Sequence, residues 1–160
     1  MELSIDIFSA FNKQWALLTA GDMDRHNAMT ISWGSMGTLW GKSVVTVYVK
    51  PVRYTHSFME SSDTFTVSFF PEEYRKALML LGTKSGRDGD KLSEAGLTPL
   101  PVGTGVGYAE AKLTLVCKKI YTLPFDRAGI PQEAIRAFYE TEQPHTMFVG
   151  EVLEIREAAK

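Results

Sequence analysis

The chain has few of the residue patterns that announce a chemistry on their own. It holds one cysteine, Cys117, so no intrachain disulfide can form, and a reducing compartment fits this usage. Its three histidines, His26, His56 and His145, lie far apart, with no second ligand at a metal-binding spacing, and no metal is predicted. No Gly-x-Ser-x-Gly elbow occurs, which argues against an α/β-hydrolase nucleophile. No apolar run approaches the roughly 20 residues that a membrane helix needs. Neither charge dominates: 17 Lys and Arg against 19 Asp and Glu leave a net charge of −2. Neither nucleic acid nor an anionic membrane is therefore expected as a partner. The opening Met-Glu-Leu-Ser-Ile-Asp lacks the basic start and apolar middle of a secretory signal, so the sequence predicts a cytoplasmic protein.

What is present is an ordinary globular composition, 44% hydrophobic and 22% charged over 160 residues, enough for one domain with a sizeable core. Strands are predicted over residues 14–20, 27–33, 43–49, 64–70, 108–121 (strongest at 111–117) and 145–155, from β-branched content and alternation. Helices are predicted over 53–61, 71–82, 91–95 and 132–139. The second of these starts on Pro71, with Glu72 and Glu73 at the positive end of its dipole. Gly34, Gly37 and Gly41 read as tight turns or places of close approach. Residues 83–91 form a polar loop, and 98–107, rich in Pro and Gly, an irregular crossing or hairpin. Strands outnumber helices and connections are irregular. The expected fold is mainly β, a closed or partly closed barrel, which also removes exposed sheet edges.

Within residues 27–33, polar Thr30 and Ser32 alternate with Met29, Ile31 and Trp33. One face of such a strand enters a core. The other offers hydroxyls and an indole edge to a planar ligand. Two segments suit an anion. Arg53, Tyr54 and Thr55 stand at a helix start, where free N–H groups and the dipole favour negative charge. Lys84, Ser85, Gly86 and Arg87 place two cations around a small pair. This second segment lacks the Gly-Lys-[Ser/Thr] order of a Walker loop. Gly103-Thr-Gly-Val-Gly107 follows prolines and leads into a strand rather than a helix, so it reads as a turn and not as a dinucleotide loop. Cys117, mid-strand between Val116 and Lys118, reads as a buried structural thiol.

Five segments in order carry a family resemblance: Asn27-Ala-Met-Thr-Ile-Ser-Trp-Gly34, Lys50-Pro-Val-Arg-Tyr-Thr55, Phe65-Thr-Val-Ser-Phe-Phe70, Lys84-Ser-Gly-Arg-Asp88 and Phe148-Val-Gly-Glu-Val152. From about Trp15 to Ile155 the chain resembles the flavin reductase-like, FMN-binding split-barrel family in its short, flavoredoxin-like form. The resemblance implies a six-stranded split β-barrel of Greek-key type with a few short helices, and non-covalent FMN near a homodimer interface. It implies that Met29, Thr30, Ile31 and Ser32 line the isoalloxazine, with Trp33 and Gly34 beside it, and that Asn27 is among the cofactor-binding residues. Arg53, Tyr54, Thr55, Lys84, Ser85, Gly86 and Arg87 would hold the ribityl and phosphate end, with His145 as a looser addition. Gly89 departs from the pattern, and residues 125–142 match it poorly and are expected to shape substrate access.

Two functions follow from the resemblance. The first is an NAD(P)H-dependent, flavin reductase-like oxidoreductase that passes electrons from NADH or NADPH through FMN to a small-molecule or protein acceptor. The second is an electron carrier with no nicotinamide site of its own. A third reading is a barrel without FMN that binds haem or a pyridoxal phosphate relative. The flavin carries the redox chemistry, so no acid–base constellation is required of the chain.

Overall fold

The computed structural model describes residues 1–159. Nine strands form: β1 (Ala16–Gly21), β2 (His26–Ile31), β3 (Gly34–Leu39), β4 (Lys42–Val49), β5 (Thr64–Phe69), β6 (Pro99–Val102), β7 (Gly105–Tyr108), β8 (Leu113–Pro124) and β9 (Thr146–Glu157). Seven build one antiparallel sheet in the order β2-β1-β5-β8-β9-β4-β3, and β6 and β7 form a separate hairpin. The long strands β8 and β9 run together with register shifts at Val116/Cys117 and Lys119/Tyr121. Such irregularities bend a strand pair and let the sheet curl. One continuous apolar core fills the inside, with Leu18, Met29, Val47, Phe65, Leu115 and Phe148 drawn from β1, β2, β4, β5, β8 and β9.

Six strands thus furnish the barrel core, and the count of six needs one correction. The seventh, β3, occupies the stretch that Gly34, Gly37 and Gly41 mark as turns. It pairs with β4 along its whole length and is mostly solvent-facing. Backbone pairing needs no side chain, so an edge strand tolerates two glycines. Only Gly41, at φ +72°, sits in a turn that requires one.

The polar side of β5 is not exposed. Thr66 and Ser68 are buried. Thr66 donates to the Val106 carbonyl of β7 at 2.6 Å, and Ser68 shares a hydrogen bond with Thr114 at 3.1 Å. The hairpin of β6 and β7 covers this face. Each hydroxyl is satisfied, as burial demands.

Five helices attach to the sheet: α1 (Ile7–Ser9), α2 (Tyr54–Ser61), α3 (Arg75–Thr83), α4 (Lys91–Glu94) and α5 (Gln132–Phe138). The first, absent from the sequence reading, is capped by Asp6 and runs into a wider turn, Ala10–Gln14. It drives Phe11 into the core, where its ring meets Phe69 at 5.6 Å. Leu78 and Leu81 of α3 lie with Leu17 and Ala28, on the outer side of β1 and β2. Pro71 precedes a single 3-10 turn, Glu72–Tyr74, and the α-helix proper begins four residues later. Cys117 is buried, and burial pushes its thiol up to about 12, so it is inert packing material. No helix among the described residues is long and apolar enough to cross a membrane.

Candidate functional site

Where β2 and β4 end, α2 begins and β9 starts, the chain encloses two clefts. One, of about 240 Å³, is lined by Met29, Thr30, Ile31, Ser32 and Trp33 together with Tyr48, Lys50, Arg53 and His145. The other, of about 230 Å³, is lined by Asn27, Arg53, Tyr54, Thr55, Lys84, Ser85, Gly86 and Arg87, with Val52, Thr83 and Lys91. Arg53 belongs to both. Segments far apart in sequence therefore form a two-part groove, aromatic and mixed at one end and cationic at the other.

Every residue singled out from the sequence lines this groove except Gly34. A Cβ there would lie 2.7 Å from the Phe11 ring, so that glycine answers to core packing. Thr30 lines the first cleft, but its hydroxyl donates to the Leu78 carbonyl of α3 and ties β2 to the helix above it. The sequence did not point to Tyr48, Lys50, Val52, Thr83 or Lys91. For the two lysines a signal existed: Lys50 closes the β-branched strand before Pro51, and Lys91 opens a helix after a polar loop.

Asn27 knits the cationic end. Its Nδ2 donates to Thr55 Oγ1 at 2.7 Å, joining β2 to the first turn of α2. A Cβ on residue 86 would stand 2.1 Å from Asn27 Oδ1, so only glycine lets the 84–87 turn approach this closely. The N-terminus of α2 has no side-chain cap, which leaves its first amides free for a ligand. Arg53 reaches the Gly82 carbonyl with both terminal nitrogens at 3.4 Å. Arg87 donates to the Val52 carbonyl at 3.3 Å and lies 4.8 Å from the Tyr54 ring centroid. Lys84 is paired with Glu94. Lys91 is 4% exposed, and its ammonium donates to the Lys84 carbonyl at 3.2 Å. Burial, then the charge of Arg53, lowers it to about 8. Cations that repel one another around free helix amides make a site that an anion relieves.

This sets a pH dependence. In the free protein Lys91 loses its proton above about pH 8, whereas beside a bound phosphate it keeps it. Affinity for a phosphate-bearing ligand is expected to fall above that pH, with a slope approaching about one log unit per pH unit. Lys91→Met should flatten the profile in a calorimetric titration. For the unliganded fold the sign is opposite. Lys91 titrates at about 8 when folded against an ordinary 10.5, so stability rises between those values.

At the other end, His145 Nδ1 shares a 2.6 Å hydrogen bond with the Tyr139 hydroxyl. Burial, then the charge of Lys50, pulls His145 down to about 4 against the smaller opposing effect of Glu142, so the imidazole is neutral at physiological pH. Its ring lies 5.3 Å from that of Trp33, which meets Phe138 edge-on at 5.0 Å. Lys50 binds Glu142 at 2.7 Å and the Phe138 carbonyl at 3.1 Å. Phe138, Tyr139 and Glu142, from the 125–142 stretch, thus stand behind Trp33, His145 and Lys50 of the first cleft. Among the described residues no three His, Cys, Asp or Glu side chains gather as a metal site.

Fold and groove together are those of a split antiparallel barrel with a two-part groove, aromatic and mixed at one end and cationic at the other. A family profile, the flavin reductase like domain, matches residues 8–160, and the chain belongs to that family. Curated protein sequences show no match to it. Among solved structures, it is similar in fold to a flavoredoxin from Methanosarcina acetivorans, with a TM-score of 0.72, 20% identity and coverage of 99% of this chain and 76% of the other. Flavoredoxin of Desulfovibrio vulgaris (Miyazaki F) gives 0.71, 21%, 99% and 77%. An FMN-binding protein from Thermus thermophilus, with bound p-hydroxybenzaldehyde, gives 0.70, 22%, 90% and 71%.

Proposed function

We propose that the chain is a single-domain, cytoplasmic oxidoreductase that holds FMN without a covalent bond and works as an NAD(P)H-dependent, flavin reductase-like enzyme. The observation that carries this reading is Arg53, whose side chain lines both the cationic cleft and the mixed cleft. The residues present fit the cofactor: uncapped amides and cations suit its phosphate, and the edge of β2 beside Trp33 suits its ring. Arg53, Arg87, Lys91 and the first turn of α2 would bind and orient the phosphate, and Thr55 and Ser85 would offer hydroxyls to the ribityl chain. Bound FMN supplies reversible hydride chemistry. Lys50 places a positive charge by the ring, neutral His145 offers a hydrogen bond, and Trp33, Phe138 and Tyr139 limit water.

The acceptor is a small molecule or a protein. The family membership and the FMN-binding and flavoredoxin neighbours support this reading. A homodimer is part of the proposal. Trp40 and Tyr121, whose rings meet at 6.3 Å, are exposed on the β3–β4 turn and β8, apolar side chains suited to contact with a second copy.

The flavoredoxin neighbours favour a second reading, a flavoredoxin-type electron carrier without a nicotinamide site of its own. The visible spectrum of the purified protein, before and after anaerobic NADH and NADPH, separates the two. A flavin spectrum that bleaches with either nucleotide is the expected result. Bleaching by dithionite alone would establish the carrier, and a colourless protein that FMN does not reconstitute would overturn the flavin reading.

A further inference from the structure

Beyond the cationic end lies a third cleft, of about 560 Å³, that shares Asn27, Tyr54, Gly86 and Lys91 with it. The groups that the flavin reading leaves unexplained lie at the opposite, aromatic end. There a carboxylate of the chain itself, that of Glu142, is seated at 2.7 Å on the ammonium of Lys50, whose side chain lines the first cleft. We propose that Glu142 is a placeholder, and that the mouth of the first cleft takes a planar aromatic carboxylate as the small-molecule acceptor. The ligand's carboxylate replaces that of Glu142 on Lys50, and its ring lies against Trp33 and Phe138. The acceptor role rests on the flavin reading above.

Three features argue for that occupant. Lys50 keeps its place when Glu142 leaves, because its ammonium also donates to the Phe138 carbonyl at 3.1 Å. The pair itself is open to exchange. Its side chains are 23% and 43% exposed, and Glu142 sits on an irregular stretch between α5 and β9; ion pairs at such exposure are weakly held. The local field nevertheless favours an anion. The hydrogen bond and charge of Lys50, and more weakly the charge of Arg53, hold the Glu142 carboxyl below the usual carboxylate range, and a carboxylate brought by a ligand meets the same charges. The third feature is aromatic. Trp33 and Phe138 are both exposed, and their rings meet edge-on at 5.0 Å. Two open rings beside a cation give a planar ring surfaces to pack on. An aliphatic acid lacks the ring and a neutral aromatic lacks the charge, so neither satisfies both halves of the site.

The test is calorimetric titration of the FMN-loaded protein with benzoate, with benzamide as its neutral counterpart and with acetate as the acid without a ring. Lys50→Met removes the cation. Glu142→Gln removes the resident carboxylate and leaves the cation free. A merely structural clasp is broken by both variants alike, whereas a placeholder makes them act in opposite directions. The expected result is benzoate bound roughly tenfold or more tighter than benzamide or acetate, and weakened roughly tenfold or more by Lys50→Met, the scale of one charged hydrogen bond. Glu142→Gln should tighten benzoate by about threefold or more and leave benzamide unchanged, since only the anion competes with Glu142. Benzoate held no tighter than benzamide, matched by acetate, or weakened by both variants would overturn the proposal and leave the FMN reading standing. If the protein takes up no FMN, the flavin reading fails and the acceptor role with it. The same titration of the flavin-free protein then supports the carboxylate site if the two variants act in opposite directions, and overturns it if they do not.

Discussion

Replacing Arg53 by alanine is expected to weaken FMN binding by about 1.5–3 kcal/mol, the worth of a hydrogen bond to a charged group, or roughly 10- to 150-fold. The side chain is half-buried and stands at the junction of two clefts, so its loss would remove the one charge that both clefts share. Its only hydrogen-bond acceptor among the described side-chain contacts is the Gly82 carbonyl, at a long 3.4 Å, which leaves the planar fork available for bidentate phosphate contact. The unliganded protein should tolerate the change, because burial and the charge of Arg53 together depress Lys91 and the variant removes the second. Flavin fluorescence quenching against Arg53→Ala and Arg53→Lys measures the effect. The lysine variant should recover only part of it, since it keeps the charge and loses the fork. Unchanged affinity in the alanine variant would count against the assigned phosphate site.

The largest expected effect on folding is Phe65→Ala, at about 3–5 kcal/mol. That is a large share of the roughly 5–15 kcal/mol that holds a typical protein folded. Phe65 is 2% exposed, and its ring is pressed onto residue 150: a Cβ there would meet Phe65 Cζ at 2.5 Å and Cys117 Cβ at 2.8 Å. Gly150 is therefore the flat seat for the aromatic ring, where β9 passes between β4 and β8. Gly150→Ala alone should cost about 1–3 kcal/mol by overpacking. In the Phe65→Ala background the same change should cost less, because the ring contacts at 2.5 and 2.7 Å are gone and only the Cys117 Cβ contact at 2.8 Å remains. Urea unfolding of the two single variants and the double variant reads this coupling. Additive losses would show that ring and glycine do not share one packing site.

Several elements were legible because a local rule fixes them. The β-branched run at 43–49 is β4, and the alternation at 64–70 is β5. The glycines and prolines at 98–107 mark the hairpin of β6 and β7. The site was legible in pieces for the same reason: a helix start beside Arg53 and a small cationic turn at 84–87 each suggest an anion alone. What local pattern missed is informative. The hydroxyl of Thr30 looks free for a ligand in the sequence, yet α3 takes it. The alternation at 64–70 gives β5 a polar face without saying what lies on it, and a hairpin some 40 residues on covers it. Period-two alternation says that two faces differ and does not say what lies on either. Lys91 was marked in the sequence only as the start of a helix after a polar loop; its place in the site comes from burial beside Arg53, and burial is a property of the packed chain.

The sequence by itself determined the barrel class, the absence of a disulfide, and the residues with the right chemistry for a planar group and an anion. These follow from composition, β-branched alternation and the free amides of a helix start, all set within a few residues. Only the tertiary structure decided that those residues form one groove. It alone made Arg53 their common wall, gave β3 to the sheet and Gly34 to the core, and opened a further cleft beyond the cationic end. Those outcomes depend on which strands pair and on how β8 and β9 bend together. Long-range pairing of that kind is chosen by the burial of the whole apolar set and not by any one segment.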